Sequence, residues 1–243
     1  MSRQARQRSV TGIYHVIQRG IDQMMIFRND DDRQMFLNLL SIEAGEFFKI
    51  YCYCLMDNHI HFIAESNNLS FHVHRIASVY AMWFNQKYGR RGYLFQDRFK
   101  SEVIEEEGYL LRCFRYILNN PVKAGMSRNV ADYKWSSYHA CFNKSNSFVV
   151  TDFLNLFFDR EEDLRAYLRE EGQEECMDID QNYQLNDGEV QGLLEEKLNG
   201  KRLTEFSVGE QKQILREMKQ NPGVRNRQLA RITGIGFNII RRL

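Results

Sequence analysis

His59 and His61 stand one residue apart in Asn58-His-Ile-His61, and Tyr116 and Asn120 stand four apart further along the chain. Two neutral imidazoles on one side of a rigid strand can hold a divalent metal, and a tyrosine hydroxyl can act as a nucleophile. The run Tyr51–Ala64 is dense in aromatic and β-favouring residues, which predicts a strand around the histidines. Side chains at i and i+2 of a strand share a face, roughly 6.5–7 Å apart. His59 and His61 therefore converge, while Ile60 and Phe62 face the core. Tyr116 and Asn120 fall on a predicted helix at i and i+4, one above the other. The amide oxygen one turn on from the tyrosine is suited to complete a metal's ligand set. Taken singly, these features have plainer readings: two ordinary histidines near a sheet edge, and a half-buried aromatic on an amphipathic helix.

The elements that must position these groups follow from hydrophobic periodicity and breakers. Gly12–Gly20 reads as a first strand, and Asp30-Asp-Asp32 caps a helix running to about Phe48. Residues 49–65 read as two strands joined at Met56-Asp-Asn58. A second helix runs from Ser70 to about Gln86, and Leu94–Ile104 is a loop and short strand. A third helix runs from Gly108 to Asn120, with Pro121 predicted to end it. The order β-α-β-β-α-β plus a further helix predicts an α+β, ferredoxin-like (RRM-like) antiparallel sheet with helices on one face, followed by a helical C-terminal region. Three segments are expected: 1–150 as the main domain, 151–206 as an acidic helical or linker stretch, and 207–243 as a helical module. The acidic stretch reads as one or two surface helices with a flexible part near 178–188, and Ser207–Asn221 as a helix broken by Asn221-Pro-Gly223.

The 243 residues are 43% hydrophobic and 13% aromatic, the makeup of a chain with a core and not of a disordered one. No stretch approaches the ~20 apolar residues that span a bilayer, and the basic N-terminus lacks the apolar region of a signal peptide. Five cysteines without a Cys-x-x-Cys pair read as reduced, buried thiols of a cytoplasmic protein. The net charge of +1 conceals segmentation. Residues 1–150 carry 19 basic and 14 acidic side chains, 151–206 carry 6 and 16, and 207–243 carry 8 and 2. Two basic segments either side of an acidic one suit an anionic partner touched in two places, though three solvated surfaces would look the same.

Tyr93-Leu-Phe-Gln-Asp-Arg-Phe-Lys-Ser101 interleaves aromatics with Arg98 and Lys100, the mix expected where phosphates and unstacked bases are held. With Tyr14-His-Val-Ile-Gln-Arg-Gly20, Met56-Asp-Asn-His-Ile-His61, Tyr116-Ile-Leu-Asn-Asn-Pro-Val-Lys-Ala-Gly125 and Trp135-Ser-Ser-Tyr138, in this order over roughly residues 10–142, the chain resembles the single-tyrosine HUH transposases, and within them most closely the REP-associated tyrosine transposases. The resemblance implies that His59 and His61 bind Mg²⁺ or Mn²⁺ with Asn120 as third ligand, and that Tyr116 attacks a DNA phosphodiester to leave a 5′-phosphotyrosine and a free 3′-hydroxyl. Imidazole suits transition metals better than Mg²⁺, so Mn²⁺ is expected to support activity at least as well. It also implies a single-stranded or hairpin DNA substrate and a site assembled within one chain, hence a monomer rather than a swapped dimer. Arg19, Arg98, Lys100 and Lys123 are the candidate DNA contacts of this domain, with Arg3, Arg6 and Arg8 offering sequence-independent phosphate contacts. One residue departs from the family pattern: Asp57 stands where proline usually precedes Asn-His, placing an extra carboxylate beside the expected metal. Two competing readings remain at this level, a non-catalytic DNA-binding regulator that keeps the fold and a two-histidine hydrolase of small phosphoesters.

Within Val224–Leu243, Ala230, Gly234 and Ile240 have helix-turn-helix spacing, and Arg227 and Arg231 are the candidate duplex contacts. The second helix of that motif would run only from Phe237 to Leu243, short for reading a major groove.

Overall fold

The computed structural model describes residues 6–143, 147–170, 176–177, 187–221, 224 and 226–242. Four strands, β1 (Ile13–Arg19), β2 (Lys49–Leu55), β3 (His59–Glu65) and β4 (Lys100–Val103), form an antiparallel sheet in the order β2-β3-β1-β4. Alternation along β3 sends Ile60, Phe62 and Ala64 to one face and His59, His61 and Ile63 to the other. On the first face they pack with Tyr14 and Val16 of β1 beneath α1 (Asp30–Glu43) and α2 (Leu69–Lys87), through Phe36, Leu40, Ile76, Tyr80 and Phe84. This is the ferredoxin-like arrangement that the element order predicts. The other face is covered as well: Leu110, Cys113, Phe114 and Ile117 of α3 (Glu107–Lys123) pack on Cys52, Cys54 and Ile63.

Two boundaries differ from expectation. α1 ends at Glu43 rather than near Phe48, because Ala44 turns to extended backbone and Gly45 and Phe48 bond to each other, which delivers Phe48 into the core. Pro121 does not end α3. Pro121 lies in the last turn and lacks its own donation to the preceding turn, but Ala124 N still bonds Asn120 O at 2.9 Å, so the helix continues to Lys123. The extra turn matters, since it puts Lys123 on the face that carries Tyr116 and Asn120.

Residues 133–138 and 149–150 lie along the outer edge of β2. Leu55 N bonds Trp135 O at 3.0 Å, Ser137 N bonds Tyr53 O at 3.0 Å, and Val150 N bonds Ile50 O at 2.7 Å. The Trp135–Tyr138 motif thus occupies an edge that would otherwise offer unpaired backbone groups. Beyond it, α4 (Glu161–Arg169) lays Leu164 and Leu168 against α3, where Asn119 Nδ2 donates to Leu168 O at 2.9 Å. All five cysteines are buried and free. Among the described residues no helix is long and apolar enough to cross a membrane.

Asp32 joins α1 to α2. Its carboxylate accepts from the Arg28 backbone at 2.7 Å, from Lys87 Nζ at 2.6 Å and from the Tyr88 hydroxyl at 2.8 Å. Burial opposes its ionisation, but Lys87, the Arg28 N–H and Tyr88 outweigh that and hold its pKa below the ordinary 3.8. The stability it supplies is therefore fully present above that value and lost as the pH falls below it through the lower pKa of the folded state. Asp32→Ala, which leaves these donors behind, is expected to cost about 3 kcal/mol in denaturant unfolding.

The chain divides into two compact units, Met1–Met177 and Asp178–Leu243. The acidic stretch 151–206 is split between them: α4 belongs to the first unit and α5 (Asp187–Leu198) to the second, and most of the part read as flexible, 178–186, lies outside the described residues. In the second unit α5, α6 (Val208–Gln220), α7 (Asn226–Thr233) and α8 (Phe237–Arg242) enclose Val190, Leu194, Leu198, Met218, Leu229 and Ile240. Ser207 caps α6 with a reciprocal box to Glu210. Between α7 and α8, Gly234 turns with φ +70°, a conformation that favours glycine.

Candidate active site

The antiparallel register places Ile17 opposite His61 and His15 opposite Ile63. His15 and His61 are therefore diagonal neighbours on the face covered by α3. His15 Nε2 lies 3.1 Å from His61 Nδ1, with the two rings stacked at a centroid distance of 5.3 Å. His59 follows on the same face, its ring 5.0 Å from that of His61. α3 then sets Tyr116 edge-on against both inner histidines, 6.0 Å from the His61 ring and 6.2 Å from the His15 ring. Asn120 sits one turn on, and Lys123 places its ammonium 4.6 Å from the centre of the Tyr116 ring. Hence His59, His61 and Tyr116, nominated from spacing, do meet, with Asn120 on the helix turn that follows.

His15 was missed. Its sequence signal is only parity: on a strand it shares a face with Ile13 and Ile17, and nothing local tells which face meets the other histidines.

Exposure is graded across the cluster. His15 and His61 are fully buried, Tyr116 is 3% and Asn120 8% exposed, His59 is partly exposed and Lys123 exposed. Burial, and then the neighbouring His59 and His15, hold the His61 imidazole well below its ordinary pKa, so it is neutral. His59 Nδ1 lies 2.6 Å from Asn58 Oδ1. An amide oxygen only accepts, so that nitrogen carries a proton, and in the neutral ring the His59 lone pair is on Nε2. His61 Nε2 and Asn120 Nδ2 are buried with no hydrogen-bond partner among the described residues. Amide oxygen and nitrogen are told apart only by their partners, so nothing holds the Asn120 oxygen away from this position. A divalent metal fits this donor set: two neutral imidazoles and a neutral amide oxygen. Among the described residues no group of three or more His, Cys, Asp and Glu is placed to hold one, so a metal here depends on that neutral third donor.

Asp57 is accounted for by a cation on the other side of the turn. Its carboxylate meets the guanidinium of Arg33, whose side chain is 11% exposed and lies 5.7 Å from the ring centres of both Phe27 and Trp135. Its carbonyl accepts from Ile26 N at 2.9 Å and Phe27 N at 3.0 Å, and the next carbonyl, of Asn58, accepts from Gly20 N at 2.9 Å. Gly20 has no room for a side chain, since a Cβ there would lie 2.3 Å from Met24 O. The turn before the histidines is thus fixed by backbone bonds. Asp57→Ala should lower stability by about 1–2 kcal/mol through the stranded Arg33, and leave Mn²⁺ affinity unchanged in a titration; a tenfold change in that affinity would place Asp57 in the metal site instead.

Of the candidate DNA contacts, Lys100 lies opposite Ile17 and Arg19 opposite His59, both on the histidine face of the sheet. Arg98 is exposed in the turn before β4. Arg6 stacks 3.5 Å from the Phe99 ring centre and donates to Phe99 O at 2.8 Å, Arg8 is exposed, and Arg3 lies outside the described residues. In the second unit Arg231 is engaged by Asp187 at 2.6 Å, and Arg227 lies 5.8 Å from the Phe237 ring centre. Lys123→Ala is expected to weaken single-stranded DNA binding and to lower the slope of log affinity against log salt by about one.

Paired histidines on a central strand thus face a tyrosine on the covering helix. The sequence model of the family described as "Transposase IS200 like" matches residues 9–120. Over those residues, a little under half of its length, the chain is similar to this transposase family. A solved structure described as a REP-associated tyrosine transposase bound to a REP hairpin aligns with 63% of this chain and 90% of its own, at 20% identity and a TM-score of 0.48. No curated protein matches the chain.

Proposed function

We propose that the protein is a metal-dependent nuclease and strand transferase of single-stranded DNA, working through a 5′-phosphotyrosine. The reading is carried by one observation above the others: the Tyr116 ring stands 6.0 Å from that of His61, whose Nε2 is buried with no hydrogen-bond partner among the described residues. His59, His61 and Asn120 would hold Mg²⁺ or Mn²⁺, which when bound supplies positive charge to a non-bridging phosphate oxygen. The chain's own groups do the rest. Arg19, Lys100 and Lys123 hold the DNA backbone along the histidine face. The reacting phosphate enters from the rim where His59 and Lys123 are accessible, since the inner members are buried. The Tyr116 oxygen bonds to phosphorus and gives up its proton to solvent, the bond from phosphorus to the 3′-oxygen breaks, and that oxygen takes up a proton from solvent to leave as a hydroxyl. The ester stores the energy of the broken bond, so a 3′-hydroxyl can reverse the step without a nucleotide cofactor.

Tyrosine and histidines come from one chain, so one copy suffices to form the site. In the second unit, Ala230, Gly234 and Ile240 occupy the packing and turn positions of a helix-turn-helix, which leaves Asn238, Arg241 and Arg242 of α8 exposed for a duplex.

The test is incubation of the protein with end-labelled hairpin DNA and Mn²⁺, resolved on a denaturing gel. A protein-linked band carrying the 3′ label, absent in excess chelator, is the expected outcome. Specific retention of DNA with no adduct across several metals would instead identify a binding regulator. Turnover of a chromogenic phosphodiester without any adduct would identify a hydrolase.

A further inference from the structure

We infer that His15 is a positioning residue for the metal ligand His61, accepting a hydrogen bond that fixes which His61 nitrogen offers its lone pair. The inference rests on the reading of His59 and His61 as metal ligands. It starts from an asymmetry in the two imidazoles. His59 has its Nδ1 committed to Asn58 Oδ1 at 2.6 Å, and Asn58 is steadied in turn by donation to Gln23 O at 3.3 Å. His61 is fully buried, and among the described residues no asparagine bonds its Nδ1. His15 Nε2 takes that place at 3.1 Å, from a neighbouring strand.

The 3.1 Å contact joins two nitrogens that in neutral rings cannot both donate, so it exists in two forms. In one, His61 carries its proton on Nδ1 and donates to His15, which leaves the lone pair on His61 Nε2. In the other, His15 donates and His61 Nε2 bears a hydrogen. Either form leaves the buried Nε2 unsatisfied without a metal, but only the first lets a cation satisfy it. Ligating histidines generally give their other N–H to an acceptor that sets tautomer and ring orientation. Asn58 does this for His59. His15 does it for His61, with ring stacking at 5.3 Å and 28° limiting rotation of both imidazoles. His15 itself touches neither substrate nor metal in this role.

The glutamine amide oxygen extends to about the position of His15 Nε2, so His15→Gln keeps the acceptor and His15→Leu removes it. In the full-length protein without DNA, Mn²⁺ affinity measured by electron paramagnetic resonance is expected to fall about tenfold or more in His15→Leu and to stay within about threefold in His15→Gln. Equal affinity of His15→Leu and the parent, or equal loss in both variants, overturns the inference. Long-range ¹H–¹⁵N spectra of histidine-labelled parent protein, independent of whether the leucine variant folds, should show metal-free His61 protonated at Nδ1; protonation at Nε2 overturns it too. A parent protein that binds no Mn²⁺, or binds it equally after His61→Ala, removes the metal site itself. Loss of binding in His61→Ala beside full binding in His15→Leu removes only the role of His15.

Discussion

Tyr116→Phe is expected to abolish the covalent protein–DNA adduct, by at least about 10³-fold, while leaving the fold and DNA retention intact. The substitution removes one oxygen and keeps the ring. The edge contacts to His15 and His61 and the Lys123 ammonium above the ring all survive, so stability should change by only about 1 kcal/mol. A large effect on chemistry beside a small effect on binding is the signature of a group that bonds to the substrate. An adduct that persists in Tyr116→Phe would mean that another residue is the nucleophile and that Tyr116 is a core aromatic. Gel analysis of the adduct, with a filter-binding measurement on the same preparation, separates the two.

The second large effect is expected from the histidines. His61→Ala should abolish Mn²⁺ binding in the accessible range and reduce adduct formation by about 10²–10³-fold or more. Because His61 is fully buried, its truncation also opens a cavity, and a loss of activity alone would not distinguish lost ligation from local collapse. His59→Ala supplies the control. His59 is partly exposed at the start of β3, so its removal disturbs packing less, and its metal defect should be partly overcome by raising Mn²⁺. If both variants cleave DNA at the parent rate at low Mn²⁺, the paired histidines are sheet residues and the proposed mechanism falls.

The strands, two covering helices and the histidine pair were legible because each rests on local rules. Alternation in His59–Ala64 fixes which side chains share a face, and i, i+4 spacing fixes the pairing of Tyr116 with Asn120. Pro121 does not stop α3 because it lies in the last turn, where the loss of one donor leaves the following bond, Ala124 N to Asn120 O, intact. The end of α1 was misplaced because Phe48 fits a helical stripe as well as it fits the extended chain that carries it into the core. Asp57 looked like a charge beside a metal because its partner, Arg33, is 24 residues away.

The sequence by itself determined the parts of the site that depend on neighbours along the chain: the same-face histidines of β3 and the tyrosine and asparagine one turn apart on α3. It determined the chemical types available, imidazole, phenol and amide, and through its motifs a resemblance to a transposase family. Only the tertiary structure decided that these two elements face each other, which requires α3 to cover the sheet face opposite α1 and α2. It also decided the membership of the cluster. His15 enters because β1 pairs with β3 in a register that sets Ile17 opposite His61, and a one-residue slip would have turned His15 to the other face. Strand register and helix placement are settled by the summed burial of distant apolar side chains, which no local spacing records.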